Sequence, residues 1–163
     1  MGENKFEIRF ANEADVPLIL ALIRELADYE HMLDEVVATE EILREWIFEK
    51  KKAEVLIGEE NGTPVGFALF FHNFSTFLGR AGIYLEDLFV RPEYRGRKYG
   101  KSLLKRLAEI TVERKCGRLD WCCLDWNEPS IAFYRSLGAI PLEDWTIYRL
   151  SGETLEQFSK SDC

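Results

Sequence analysis

The period of the hydrophobic pattern changes repeatedly along the chain, which predicts an alternation of strands and helices. Residues 5–11 alternate between apolar and polar side chains, as a half-buried strand does. The dipeptide Asn61-Gly62 is a strong signal for a tight hairpin between two apolar runs. Further strands are predicted at 53–59, 64–73, 82–90 and 118–124, with two short ones at 139–141 and 145–150.

Apolar residues recur at helical spacing in the segments between these strands. Polar residues that commonly cap helices precede three of the segments, and glycines follow two of them. The predicted helices run from the cap Asn12 to about residue 28, from Thr39 onward, over 97–115, and from the cap Asn127 to Leu137.

The predicted order of elements is β-α-α-β-β-β-α-β-α-β, and 163 residues fit a single domain, 1–163. Antiparallel hairpins come first, and a β-α-β unit with parallel strands follows, so a mixed α/β layout is expected. The tail from Ser151 is expected to hold at least one helical turn. A ligand site is predicted where strand pairing changes, near the carboxyl end of strand 82–90.

Charge and composition narrow the classes of function. The net charge of −8 argues against nucleic acid as a partner and suits a small cationic substrate. We find no run of about 18 apolar residues, so no membrane span is expected, and the polar N-terminus favours a cytoplasmic location. The four cysteines, Cys116, Cys122, Cys123 and Cys163, form no CxxC pair, so we expect reduced thiols and no metal site.

The stretch 84–100 carries the most chemical information. An apolar strand with Glu86 and Asp87 leads through a turn into a basic loop with two glycines, and this loop opens a helix. The free N–H groups and positive dipole end of a helix start favour a phosphate there. A plain basic helix start would give the same pattern, because short glycine-containing motifs match often by chance.

Three side-chain types could take part in the chemistry. Glu86 or Asp87 could act as a general base, since a carboxylate in an apolar strand is costly unless it is paired or used; an edge charge or a salt bridge is the alternative. Tyr134 could protonate a departing thiolate, although an isolated tyrosine is more often a core residue. A thiol nucleophile at Cys122 or Cys123 is disfavoured, because no basic partner is near in sequence and the strand context favours burial.

Taken together, these features resemble the GNAT superfamily of acetyl-CoA-dependent N-acetyltransferases over nearly the whole chain. The segments 26–30, 84–87 and 125–127 resemble the diamine (spermidine/spermine) N-acetyltransferases and their thialysine branch. The resemblance implies a GNAT-like α/β (α+β) fold, with a central mixed, mostly antiparallel twisted sheet and helices on both faces. It also implies transfer of an acetyl group from acetyl-CoA, without a metal, to a primary amine of a small cationic substrate, such as a thialysine-like or lysine-like amine or a polyamine.

The resemblance implies roles for single residues as well. Glu86 would be the base and Tyr134 the acid, and Tyr29, Glu30 and Asp87 would line the acceptor cleft. The implied cofactor contacts are the backbone of Leu88, Phe89 and Val90, the loop residues Arg95, Gly96, Arg97, Lys98, Tyr99, Gly100 and Lys101, and also Asn127, Ser130 and Tyr134.

The chain departs from the family pattern at two places. Lys98 stands where the loop has its middle glycine, and we expect helical φ and ψ there, with the side chain turned outward. Ser75-Thr76 and Gly79-Arg80 look more like the thialysine branch than the polyamine enzymes.

Two other functions stay open, a peptide or protein N-acetyltransferase and a non-catalytic acyl-CoA-binding sensor. A homodimer is also expected, with the apolar stretch 145–150 pairing between subunits as in relatives.

Overall fold

The computed structural model describes residues 4–161. Cys163, expected to be a reduced thiol, lies outside the described residues. The chain divides into two compact units, one up to Cys122 and one from Cys123 onward, and each is described by itself.

The first unit is built on a five-stranded sheet whose spatial order follows the chain. The first four strands are antiparallel, and the last is parallel to its neighbour. This confirms the mixed, mostly antiparallel sheet. Its strands are β1 Phe6–Phe10, β2 Glu54–Glu60, β3 Thr63–Ser75, β4 Arg80–Val90 and β5 Leu119–Trp121.

Asn61 and Gly62 form the predicted hairpin turn between β2 and β3. Both residues have positive φ, 51° and 81°. A two-residue type I′ turn needs this conformation at both positions, and its twist matches that of the strands. The turn therefore fixes the pairing of Glu60 with Thr63 at the end of the ladder.

Three helices belong to the first unit. Asn12 caps a short 3₁₀ turn that leads into the first of them, and its side chain accepts a hydrogen bond from the amide of Ala14. The helices are α1 Val16–Tyr29, α2 Glu40–Leu43, which continues as a π-helical turn over Arg44–Glu49, and α3 Tyr99–Glu113. The second unit contains α4 Glu128–Ser136 and α5 Gly152–Ser159.

Several predicted boundaries were wrong. The helix predicted over 97–115 begins only at Tyr99, because Gly96 and Lys98 have positive φ and cannot belong to a right-handed helix. The strand predicted at 118–124 stops at Trp121, where its ladder with β4 ends. Residues 139–150 form neither of the two predicted strands, although their apolar pattern suits one, because no neighbouring strand pairs with them in the described part of the chain.

The helices cover both faces of the sheet, as predicted. Val55 and Ile57 of β2 pack with Phe67, Phe89 and apolar residues of α1 and the π-helical turn. Leu56 and Gly58, which alternate with these two residues along β2, point to the opposite face. Leu103 of α3 lies on that face, 3.7 Å from the position of a Cβ on Gly58. We refer to these as the α1 face and the α3 face.

No helix within residues 4–161 is both long enough and apolar enough to cross a bilayer.

Phe67 tests how much the α1 face contributes to stability. Its side chain is 0% exposed, so Phe67→Ala should lower the free energy of unfolding by about 3–5 kcal/mol through lost burial and a residual cavity. Phe77, which is fully exposed, supplies the matched control, and Phe77→Ala should stay within about 0.5 kcal/mol of the original chain. Urea unfolding of both variants measures the difference. Equal losses in the free energy of unfolding would contradict this account of the core.

Candidate functional site

The ladder between β3 and β4 shifts register at Glu86. Leu69 lies opposite Asp87, whereas the next residue, Phe70, lies opposite Leu85. Glu86 is therefore the extra residue of a β-bulge, a distortion that re-aims side chains and is common beside functional sites.

The shift changes which face of the sheet each side chain occupies. In a regular strand Leu85 and Asp87 would share a face, because side chains alternate. Here Leu85 opposes Phe70 on the α3 face, and Asp87 opposes Leu69 on the α1 face. The bulge thus turns a carboxylate to the face where α1 ends, which sequence spacing alone would not predict.

The pairing of β4 with β5 is short. It includes only Ile83, Tyr84 and Leu85, which lie opposite Leu119, Asp120 and Trp121. Beyond Leu85, residues 86–90 of β4 have no strand on that side within the described residues. The pairing of strands therefore changes at the carboxyl end of β4, the place where the sequence predicted a ligand site.

Three acidic residues form a cluster near this edge, and we call Glu30, Glu86 and Asp87 the acidic cluster. Burial, the largest cause, and the charges of Glu86 and Glu30 together raise the pKa of Asp87 to about 7. Burial also raises the pKa of Glu30, while Glu86 is exposed. Gathered carboxylates of this kind favour a cation. The structure brings the predicted base Glu86 together with Glu30 and Asp87, which were predicted to line the acceptor cleft.

Cys122 lies beside the same edge. The hydroxyl of Tyr84 donates a hydrogen bond to its Sγ over 3.0 Å, and burial is the main cause that raises the pKa of Tyr84. Cys122 is exposed, which corrects the expectation that a strand would bury it, because β5 ends one residue earlier.

The loop that joins β4 to α3 has two residues with left-handed backbone. Gly96 has φ 78° and Lys98 has φ 65°. The expected helical conformation at Lys98 is therefore wrong, although its side chain is exposed, as predicted. For a non-glycine residue this conformation costs about 1–2 kcal/mol.

Backbone amides at the start of α3 have no helical acceptor. The first hydrogen bond from this turn runs from Ser102 N to Lys98 O, so the N–H groups of Tyr99, Gly100 and Lys101 precede the ladder. No side chain caps this end of α3. The 95–101 loop is thus suited to binding an anion through its backbone.

The arginines around this loop are held by the protein itself. Arg91 donates to both carboxylate oxygens of Glu25 on α1. Arg95 donates to the carbonyl of Val90 and stacks over the ring of Tyr29, 4.6 Å from its centroid. These contacts fix the ends of the loop and bring the predicted residues Tyr29 and Arg95 together.

Arg97 was expected to add positive charge for a phosphate. Instead its Nη1 lies 2.5 Å from Oε1 of Glu60 at the end of β2. The exposed amines that remain on the loop are Lys98 and Lys101.

The remaining predicted residues lie on α4 in the second unit. Asn127 caps this helix as predicted, and its Oδ1 accepts from the amide of Ser130. Tyr134 follows one turn later, with its ring 5.4 Å from that of Phe133. Gly138, with φ 84°, comes just past the helix end.

Sequence reasoning missed Glu60 and the Arg91–Glu25 pair. Glu60 could have been noticed in the sequence because it is an acidic residue at the end of the apolar strand 54–60. The Arg91–Glu25 pair joins residues far apart in sequence, and no local pattern indicates it.

Residues 19–139 match the acetyltransferase (GNAT) family. The thialysine N-epsilon-acetyltransferase of Bos taurus is 40% identical over 164 residues, with 93% of this chain and 96% of that protein covered. The L-ornithine N5-acetyltransferase of Arabidopsis thaliana is 30% identical, with 94% and 87% covered. An integron cassette protein from the mobile metagenome of V. cholerae has a TM-score of 0.81 at 28% identity, covering 98% of this chain and 100% of that one.

The mixed sheet, the order of helices and the 95–101 loop define an acyltransferase fold. The chain belongs to the acetyltransferase (GNAT) family, which confirms the resemblance drawn from its motifs. It is therefore an N-acetyltransferase, an enzyme that transfers acetyl groups to amines.

Lys98→Gly tests the backbone strain of the loop. Glycine adopts positive φ freely, so the substitution removes the strain at this position. Glycine also loses more entropy on folding, which offsets part of this gain, and the variant should be more stable by about 0.5–1 kcal/mol. Lys105→Gly, in the exposed interior of α3, should be less stable by about 1 kcal/mol. Thermal unfolding compares the two, and a loss of stability in both would show that Lys98 is not strained.

Asp87→Asn tests the raised pKa. Because the pKa is about 7 when folded and 3.8 ordinarily, the folded chain binds more protons between these values, and its stability should fall as pH rises through this window. From pH 4 to pH 8 the variant should gain about 4 kcal/mol in stability relative to the original, because a difference of roughly three pKa units is worth about 1.4 kcal/mol per unit. Denaturant unfolding across this range measures it, with the exposed Asp34→Asn as control. If the free energies of unfolding of Asp87→Asn and the original differed by the same amount at every pH, the raised pKa of Asp87 would be contradicted.

Proposed function

We propose that this enzyme transfers the acetyl group of acetyl-CoA directly to a primary amine of a small cationic substrate, of the thialysine or lysine type. One observation carries the proposal: the bulged strand β4 holds Glu86 and Asp87 of the acidic cluster and leads, a few residues later, into a loop whose free backbone amides suit an anion. A cation and a phosphorylated carrier can therefore be bound a few residues apart.

The cofactor is assigned to the edge and the loop. Backbone groups of Leu88, Phe89 and Val90 pair with the pantetheine arm as a further strand would. Amides of the 95–101 loop bind the diphosphate, and so do the side chains of Lys98 and Lys101. Asn127 and Ser130 on α4 contact the carrier as well, and no metal takes part.

The acidic cluster prepares the amine. A primary amine of lysine type has a pKa of about 10.4 and is mostly an ammonium ion at neutral pH, so it must lose a proton before it attacks a thioester. Glu30 and Asp87, with Tyr29, attract and orient the cation. Glu86, the exposed residue of the bulge, accepts the proton, directly or through water.

The amine nitrogen then attacks the acetyl carbonyl carbon, and the C–S bond breaks as the new amide C–N bond forms. Tyr134 donates its proton to the departing thiolate of CoA, and the second proton, which the nitrogen releases as the amide forms, returns to the Tyr134 oxygen and restores its hydroxyl. Its hydroxyl is a suitable acid because a phenol and a thiol differ by only about 1.5 units in pKa.

The substrate class rests on the relatives and on charge. The Bos taurus relative is named for thialysine and the Arabidopsis thaliana relative for ornithine, both amino acids with a side-chain amine. The net charge of −8 and the acidic cluster suit such amines, and polyamines as well. A peptide acceptor is the second candidate, and a non-catalytic acyl-CoA sensor is the third.

We further propose a single catalytic domain over 1–163, a cytoplasmic enzyme and a homodimer. The segment 140–150 supports the dimer, because large apolar side chains there are exposed and a partner subunit would bury them; Trp145 is 79% and Tyr148 is 90% exposed. Sedimentation at several protein concentrations tests it.

The function is tested by release of free CoA thiol from acetyl-CoA with a panel of thialysine, lysine, ornithine, spermidine and a lysine-containing peptide. The amino acid amines should give the highest kcat/KM. Highest turnover with the peptide would replace the proposed acceptor, and no turnover with any amine despite acetyl-CoA binding would favour a sensor.

Glu86→Gln in the same assay should lower kcat by about 100-fold or more, the usual contribution of a general base. The loss should be largest at low pH, where solvent deprotonates the amine least. Glu7→Gln, an exposed glutamate on β1, is the matched control and should leave kcat unchanged. A uniform small effect of Glu86→Gln at every pH would remove Glu86 as the base.

A further inference from the structure

Glu60 is a buried carboxylate that the proposed chemistry does not use. It ends β2, and its residue is only 8% exposed. A buried charge is costly unless it is paired and hydrogen-bonded. Its Oε1 accepts two bonds, one from Nη1 of Arg97 and one from the hydroxyl of Tyr99.

These two donors lie on either side of Lys98. Arg97 precedes it in the loop, and Tyr99 is the first residue of α3. One carboxylate oxygen therefore holds both neighbours of the residue with the strained left-handed backbone. Because Lys98 lacks the conformational freedom of glycine for this turn, its conformation must be held by contacts elsewhere.

Tyr99 is held independently by an aromatic contact. Its ring stacks on Phe6 of β1, with centroids 4.0 Å apart and planes 5° apart. Gly58 on β2 leaves the space for Phe6, since a Cβ there would lie 2.8 Å from the Phe6 ring. The orientation of the Tyr99 hydroxyl toward Glu60 is thus fixed by the sheet.

The neighbouring Glu59 provides an internal comparison. It is also partly buried and ion-paired, but its partner is Arg9 of β1, which in turn binds Asp15. This network connects β1, β2 and the turn before α1, and it includes no residue of the 95–101 loop. The two adjacent glutamates differ in what they position.

We propose that Glu60 is a positioning residue for the cofactor, which fixes the backbone of the 95–101 loop so that its amides point at the diphosphate. This inference rests on the proposed use of acetyl-CoA. Glu60 itself touches neither the carrier nor the amine, and it acts through Arg97 and Tyr99.

The hydrogen bond from Tyr99, followed by that from Arg97, lowers the pKa of Glu60. The carboxylate is therefore ionised at every pH where the amine chemistry runs, and Glu60 holds Arg97 and Tyr99 throughout that range.

The test compares Glu60→Gln with Glu59→Gln. Glutamine keeps the size of the side chain and removes its charge, so Glu60→Gln should raise the KM for acetyl-CoA and the Kd for CoA by about tenfold. The kcat and the KM for the amine should change by less than about twofold, because the reacting groups are untouched. Glu59→Gln should leave all four constants unchanged. Equal effects of the two variants, or a fall in kcat alone, would overturn the proposal.

Hydrogen exchange of the free protein gives a readout that needs no cofactor. Glu60→Gln should speed exchange of the amides at 96–101, and Glu59→Gln should not. Unchanged exchange in Glu60→Gln would overturn the proposal even if acetyl-CoA binding were altered. If the unsubstituted protein failed to bind CoA, the proposed function would fail, whereas the exchange experiment would still decide whether Glu60 positions the loop.

Tyr99→Phe covers the case in which Glu60→Gln does not fold. It removes one donor, keeps the stack on Phe6, and should raise the Kd for CoA in the same direction by a smaller factor. A Kd equal to that of the original protein would contradict a role for the hydroxyl.

Discussion

The register shift at Glu86 is the constraint on which the site depends. One extra residue in β4 sends Leu85 to the face covered by α3 and Asp87 to the face covered by α1. Among residues 4–161 the same strand has no second neighbour after Leu85, so an unpaired edge and a half-buried carboxylate occur together. A regular strand would place Leu85 and Asp87 on one face, and a carboxylate would then enter the core under α3 at considerable cost. The bulge allows an acidic cluster to exist without disturbing either core.

The arginines in and beside the basic loop after β4 are held by contacts within the protein. Arg91, Arg95 and Arg97 are engaged by Glu25, by Tyr29 and the Val90 carbonyl, and by Glu60. Their charges position the loop, and the backbone amides at the start of α3 remain for an anion. This arrangement supports the proposed anion site on a chain of net charge −8, and the acidic cluster nearby supports the proposed cationic acceptor.

Local patterns predicted what depends on local chemistry. The Asn61-Gly62 turn, the Asn12 and Asn127 caps, and the order of strands and helices up to α4 follow from backbone preferences and periodicity, and the structure confirms them. The bulge could not be predicted, since register is a property of two strands. The place of Lys98 at the middle glycine of the family loop was a signal for its left-handed conformation, but lysine is ordinary in a helix, and a helical conformation was expected. The apolar pattern at 139–150 suggested strands, but a strand also requires a partner.

The central claim is that the free edge of β4 and the first amides of α3 together bind the carrier. Amide chemical shifts of the ¹⁵N-labelled protein, followed during titration with CoA, test it most directly. The account predicts that the largest shifts fall on residues 88–90 and 96–101, at a ratio of one CoA per chain. Saturable binding whose largest shifts lie elsewhere in the sheet, with these two segments unmoved, would contradict it.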